Sequence, residues 1–199
     1  MKTIILASAS ERRSRILSEC GIKHKVVPGA VEEGPDVLEN AVKKAENAAG
    51  RFKDAIIIGA DTLVVHDGDI LGKPNSEDTA KEMLARFSGS EVEVYTGLCV
   101  IDTGTGKKAS GAEKSSLSVH ELADERIDKY FKLLAPYDKA GGFSIEGVGS
   151  LVFDDIRGSY FNILGLPMTK LAELFGEIGE DILDYVDTRH KTQDTRRQT

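Results

Sequence analysis

The run Ile56-Ile57-Ile58-Gly59-Ala60-Asp61-Thr62-Leu63-Val64-Val65 constrains this chain most, because β-branched and small residues fill it and a single carboxylate interrupts it. Such a run reads as a buried strand. Burying an ionised carboxylate without a partner is costly or shifts its pKa, so Asp61 is expected at a strand end, facing a cleft, a cation or a hydrogen-bond network. His66-Asp67-Gly68-Asp69 has the composition of a tight turn, and Ile70-Leu71-Gly72-Lys73-Pro74 returns the chain, so one hairpin presents an acid and a base. For an isolated Asp-Thr, a structural Asp beside a surface Lys fits better.

Around this strand, 199 residues suffice for one domain with a sizeable core. A net charge of −7 argues against a non-specific binder of nucleic-acid polymers, which needs an overall basic field, but leaves room for a local basic patch for one small anion. Cys20 and Cys99 stand far apart with no His or Cys at metal-ligand spacing, which speaks against a disulfide framework and a zinc site. Met1 to Ala7 is too short an apolar run for a signal peptide or a membrane span and reads as the first strand of a cytoplasmic protein.

After a strand at Thr3 to Ala7, Ser10 is placed to cap a helix that carries Ile16, Leu17 and Cys20 on its apolar face and stops at Gly21. Arg12, Arg13 and Arg15 crowd its first turns, where the helix dipole disfavours cations. An anion bound there would reverse that argument, since free N–H groups and guanidinium forks converge on it; a solvated basic face is the commoner meaning of an Arg cluster, but the conflict with the dipole favours the anion site. His24 to Val27 reads as a second strand. The loop Val31-Glu32-Glu33-Gly34-Pro35 follows, an ordinary acidic turn that also suits Mg²⁺. From Asp36 to about Arg51, apolar residues recur at helical spacing, with Lys43 and Lys44 on neighbouring faces, which allows one to point inward while the other is solvated.

Downstream, Asn75-Ser76-Glu77-Asp78 opens a helix ending at Ser88-Gly89, Val92 to Ile101 and Glu113 to Val119 read as strands, and Leu122 to Leu134 as an amphipathic helix. The glycine-rich stretch Tyr137 to Gly149 embeds Asp138, Lys139 and Glu146; it contains neither a dinucleotide fingerprint nor a P-loop. Leu151 to Ile156 and Tyr160 to Leu164 read as a second hairpin, and Pro167 as the first residue of the last helix. Residues 1–187 form one domain on this reading, and 188–199 a disordered charged tail.

Pooled, the candidate site contains the cations Arg12, Arg13, Lys44, Lys73 and Lys139 and the acids Glu33, Asp61 and Glu146. That mixture suits a polyphosphate held through a divalent metal, with a water activated by Asp61 or the metal as nucleophile. His24, His66, His120 and His190 are scattered and form no zinc or triad pattern, and there is no Trp, so neither a zinc or triad hydrolase nor a base-stacking platform is supported.

On these residues the chain resembles the Maf family of nucleoside triphosphate pyrophosphatases, from about Ile4 to Phe175. Leu6-Ala7-Ser8-Ala9-Ser10-Glu11-Arg12-Arg13 is similar to the family's L-A-S-x-S-P-R-R, with Glu11 in place of Pro. Ala41-Val42-Lys43-Lys44-Ala45 matches A-x-x-K-A, and Gly59-Ala60-Asp61-Thr62 matches G-A-D-T. Gly72-Lys73-Pro74, Tyr95-Thr96-Gly97, Asp138-Lys139-Ala140-Gly141, Glu146-Gly147-Val148-Gly149 and Gly165-Leu166-Pro167 follow in the family's order.

The resemblance implies an α/β fold whose mixed sheet is split into two lobes around a central cleft, often as a homodimer. It implies hydrolysis of a nucleoside triphosphate to the monophosphate and pyrophosphate with a divalent metal, Mg²⁺ or Mn²⁺, as a house-cleaning activity against unwanted nucleotides. By the same resemblance Asp61 is the proton acceptor, Glu33 and Asp61 hold the metal, and Ser8, Arg12, Arg13, Lys44 and Lys73 cradle phosphates. Arg12 and Thr62 resemble the branch acting on dTTP and UTP, which has Gln where Glu146 stands; Glu at that position resembles the 7-methyl-GTP branch. Lys139 joins the substrate contacts. A nucleotide-binding regulator of cell division with little turnover is the alternative from another class.

Overall fold

A computed structural model describes residues 1–133 and 140–187. Lys139, and the tail expected at 188–199, lie outside the described residues. The structure is α/β, with a seven-stranded mixed sheet in the order β2-β1-β3-β5-β6-β7 and β4 paired to β3. The strands are β1 (Thr3–Leu6), β2 (His24–Val26), β3 (Ala55–His66), β4 (Asp69–Leu71), β5 (Glu91–Asp102), β6 (Lys108–Val119) and β7 (Phe153–Arg157). The α-helices are α1 (Glu11–Glu19), α2 (Val37–Ala49), α3 (Glu77–Phe87), α4 (Asp124–Leu133), α5 (Tyr160–Ile163) and α6 (Met168–Ile178). Contacts divide the chain into two compact units: Met1–Asp61 with Gly97–Ala112 and Met168–Thr199, and Thr62–Thr96 with Glu113–Pro167.

In the first unit, β1 runs parallel to both β2 and β3. Helix α2 packs on these strands through small residues: Ala41, Ala45 and Ala48 join Ile5, Ala7, Ala55, Ile57, Cys99 and Ile101 in one fully or nearly buried cluster. Two glycines make the approach feasible. A Cβ at Gly59 would fall 2.2 Å from the Ala41 carbonyl oxygen, and one at Gly97 2.3 Å from that of Val37, so only hydrogen fits between helix and strand. Three helices begin as their side chains require, with Ser10, Asp36 and Ser76 accepting from backbone amides of the first turns of α1, α2 and α3.

The second unit is built around aromatic side chains. His66 meets Phe87 edge-on at 5.0 Å between centroids, Phe87 meets Phe143 at 6.2 Å, and Phe143 meets Phe153 at 5.3 Å. The turn between β3 and β4 has positive φ at both Asp67 (51°) and Gly68 (86°), as a two-residue hairpin with the right-handed strand twist needs.

Two expectations are corrected. Strand β3 does not end at Asp61 but continues to His66, so the carboxylate sits in mid-strand; the donors described below satisfy it there. The segment Tyr160–Ile163 is the short helix α5, not a returning strand, and β7 pairs with β6 instead. Aromatic and β-branched composition favours a strand at 160–163, but tertiary hydrogen bonds prevail. Ser159 caps α5, and the fully buried Asn162 donates to the Val94 carbonyl (3.0 Å) and to Ser115 Oγ (2.9 Å).

Candidate active site

Helix α2 sets the site by its buried face. Val37, Asn40, Ala41, Lys44, Ala45 and Ala48 are its buried residues, so Asn40 and Lys44 lie at i and i+4 within an otherwise apolar stripe. One helical turn therefore delivers two donors to a single carboxylate. Lys44 Nζ donates to Asp61 Oδ1 at 2.6 Å, and Asn40 Nδ2 to Asp61 Oδ2 at 2.8 Å. Asp61 is 7% exposed and Lys44 also 7%, which makes this a desolvated pair. Lys43, its neighbour in sequence, turns away and pairs with Glu39 at 2.6 Å.

The loop before α2 closes on the same ammonium. Glu33 Oε1 lies 2.7 Å from Lys44 Nζ, and its side chain is 56% exposed, so one flank of the cluster faces solvent. Asn40 also fixes this loop, its Oδ1 accepting from the Gly34 amide and its Nδ2 donating to the Gly34 carbonyl, both at 2.8 Å.

From the other side comes the start of α1. Arg13 is buried, and its Nη1 donates to Ser8 Oγ (2.8 Å) and to the carbonyl of Ala60 (3.0 Å), the residue before Asp61. Burial, opposed by the charges of Asp61 and Glu33 and reinforced by that of Arg12, lowers the Arg13 pKa to about 10, so it remains a cation at neutral pH. Ser8 Oγ also accepts from the Ser10 amide at 3.3 Å, which shapes the turn into α1. Arg12 is half-buried in that first turn.

Within the first unit Glu33, Lys44 and Asp61 are thus joined by direct contacts, and the Ser8–Arg13 pair reaches them through the carbonyl of Ala60, with Arg12 near enough to act on Arg13. Sequence reasoning missed Asn40. Its signal was available: a polar residue four positions before Lys44, interrupting the same apolar stripe. Of the remaining expected residues, Thr62, Lys73 and Glu146 belong to the second unit. Thr62 Oγ1 lies 3.0 Å from Thr96 Oγ1, which itself donates to the Asn162 carbonyl (3.1 Å). Lys73 is exposed beyond β4, and Glu146 is half-buried just before the 3₁₀ turn Gly147–Val152.

Among the described residues, no group of three or more His, Cys, Asp or Glu side chains is arranged to hold a metal ion. Glu33 and Asp61 nonetheless already point carboxylate oxygens at one cationic centre, the Lys44 ammonium. Two hard oxygen donors beside a solvent-facing flank fit Mg²⁺ or Mn²⁺, since Mg²⁺ typically takes one or two carboxylates and completes its shell with water and phosphate oxygens. They do not fit a metal that needs a closed protein cage.

Comparison with known proteins bears on the family of the chain. The family model described as Maf-like protein matches residues 3–178. A dTTP/UTP pyrophosphatase of Caldicellulosiruptor saccharolyticus is 39% identical over 195 residues, covering 92% of this chain and 98% of its own. Proteins of the same description from Dictyoglomus turgidum (40% over 191 residues, 92% and 99% covered) and Bacillus cereus (39% over 190 residues, 92% and 98% covered) are similar to a like degree. With the family model spanning most of its length and relatives near 40% identity aligned almost end to end, the chain belongs to the Maf-like protein family.

Proposed function

We propose that this chain is a nucleoside triphosphate pyrophosphatase that prefers dTTP and UTP and depends on Mg²⁺ or Mn²⁺. The observation that carries this reading is the buried carboxylate of Asp61, held at one oxygen by Lys44 and at the other by Asn40, with Glu33 on the same ammonium. The names borne by its relatives support the substrate class.

In the reaction a water attacks the α phosphorus, its proton passes to Asp61, the bridging bond to the β phosphate breaks, and pyrophosphate leaves. Each carboxylate oxygen of Asp61 has a second lone pair beyond those used by Lys44 and Asn40, so it can accept that proton without breaking both bonds. Glu33 and Asp61 would hold the divalent cation, which when bound supplies positive charge to the phosphate oxygens. We assign Ser8, Arg12, Arg13 and Lys44 to the phosphates. Guanidinium and ammonium groups held in place before the reaction need no reorganisation as charge develops. To Thr62, Lys73, Lys139 and Glu146 we assign further contacts with the nucleotide, on the motifs in which they stand. A cytoplasmic, house-cleaning role and a homodimer belong to the same reading, and among the described residues no helix is long and apolar enough to cross a membrane.

A second reading is carried by Glu146. An ionised carboxylate only accepts hydrogen bonds, so a pyrimidine oxygen facing it finds no donor, whereas a 7-methyl-GTP-type substrate would not share that mismatch. Pyrophosphate release measured over a panel of triphosphates, 7-methyl-GTP included, with Mg²⁺ or Mn²⁺, tests both. Fastest release from dTTP and UTP is the expected result, fastest release from 7-methyl-GTP favours the second reading, and tight binding without turnover of any nucleotide overturns both in favour of a regulator.

A further inference from the structure

The carboxamide of Asn40 is only 1% exposed, and it makes three hydrogen bonds that use both amide hydrogens and the carbonyl oxygen. Two of them pair with the N–H and C=O of one residue, Gly34, much as a neighbouring strand would. The third reaches the catalytic candidate, Asp61 Oδ2. We propose that Asn40 is a positioning residue for hydrolysis, fastening the loop that carries Glu33 to the carboxylate of Asp61 so that both acids meet one cationic centre. This rests on the reading of Asp61 as proton acceptor.

The chemistry of the side chain supports the assignment. Its orientation is dictated by its partners, since a carboxylate and a backbone carbonyl both demand donors and the Gly34 amide demands an acceptor. Among residues of this size only an amide meets all three. Glu33 needs such a tether because it is on a loop and its side chain is more than half exposed, yet it contacts the ammonium of a lysine whose side chain is 9% exposed. Fixing the next residue's backbone shortens the range over which that contact must be found. An Asn that served the loop alone would need only the two bonds to Gly34; the third bond also satisfies the buried carboxylate of Asp61 and so couples the loop to it. Gly34 is itself exposed, so water can take over its backbone groups when Asn40 is changed, and the fold is expected to survive the substitution.

The test compares Asn40→Leu, which keeps the volume and removes all three bonds, with Asn40→Asp, which keeps the acceptor for Gly34, loses both donors and sets a second carboxylate against Asp61. For each, kcat and KM are measured on the triphosphate that the parent turns over fastest, with thermal melting and hydrogen–deuterium exchange of the peptide spanning residues 30–36 without nucleotide. Expected are folded variants with faster exchange in that peptide, kcat lowered on the order of 10- to 100-fold and KM changed by less than about threefold. Asn40→Asp should lose more than Asn40→Leu through like-charge repulsion. Parental kcat in a folded Asn40→Leu, or a loss of rate that only tracks the folded fraction with exchange unchanged, overturns the assignment. Absence of turnover by the parent on every triphosphate overturns it too, but by removing the hydrolase reading, and the exchange data then still report whether the loop is tethered.

Discussion

At the scale of residues, the site depends on which of two adjacent lysines faces inward and on what surrounds one carboxylate. Lys44 is buried against Asp61 and Glu33 while Lys43 pairs with Glu39 outside. Asp61→Asn tests the chemistry with little disturbance of shape. The amide keeps an oxygen for Lys44 or Asn40, and Glu33 continues to pair with Lys44, so the variant is expected to fold. Losing a proton acceptor is expected to lower kcat on the order of 10²- to 10⁴-fold, read by pyrophosphate release beside a melting curve; full activity in a folded variant removes Asp61 from the mechanism. Much of this cluster was legible in the sequence because its members lie in short motifs. Asn40 was not, since a single polar residue in an apolar stripe looks like an ordinary interruption until the strand it faces is known. The mid-strand place of Asp61 was hidden for the same reason: its tolerance in a buried strand comes from donors on α2, and those are partners in space.

At the scale of elements, the distance between α2 and the strands beneath it decides whether those donors reach. Gly59 and Gly97 carry that distance. Gly59→Ala would place a methyl 2.2 Å from the Ala41 carbonyl oxygen and 2.8 Å from the Ala45 Cβ, against backbone that cannot swing aside. The helix must lift, at a cost on the order of 1–3 kcal/mol, and Lys44 and Asn40 lift with it, so activity is expected to fall more than stability alone explains. Gly50→Ala is the matched control: nothing lies within 4 Å of its added methyl and its φ of −60° suits alanine, so a gain of about 0.4–1 kcal/mol with unchanged kcat is expected. Equal effects of the two substitutions in urea unfolding and turnover would refute the packing argument. The sequence announced α2, its cap at Asp36 and its end near Gly50 through periodicity and turn chemistry. It misread Tyr160–Ile163 because the bonds of Asn162 to Val94 and Ser115 span 68 and 47 positions and leave no local trace.

At the scale of the whole molecule, the first unit is assembled from three separate stretches of chain, and one ionic cluster draws on all of them. Lys2 Nζ donates to Asp102 at 2.7 Å and to Glu180 at 2.8 Å, while the Tyr185 hydroxyl donates to Glu180 at 2.8 Å. No local pattern could have disclosed a network whose bonded partners are up to 178 positions apart. Asp102 is 1% exposed. Burial pushes its carboxyl up, and hydrogen bonds from Lys2, Thr105 and the Gly104 amide more than offset this, leaving it at about 2 against an ordinary 3.8. The folded chain therefore binds fewer protons at this position than the unfolded chain between those values. Its stabilising contribution is present above about pH 4 and is lost as the pH falls towards about 2. Asp102→Asn has no proton to lose there and leaves Lys2 facing a neutral amide, a loss on the order of 2 kcal/mol at neutral pH. Urea midpoints of parent and variant are expected to differ most near pH 7, to stay apart down to about pH 4 and to converge as the pH drops below that. The urea midpoint of either protein shifts with every other carboxylate as well, whereas the difference between the two isolates this one. A gap that stays constant from pH 7 to about pH 2.5 would mean that Asp102 contributes through packing alone and that the charge on Lys2 does nothing to hold the three stretches together.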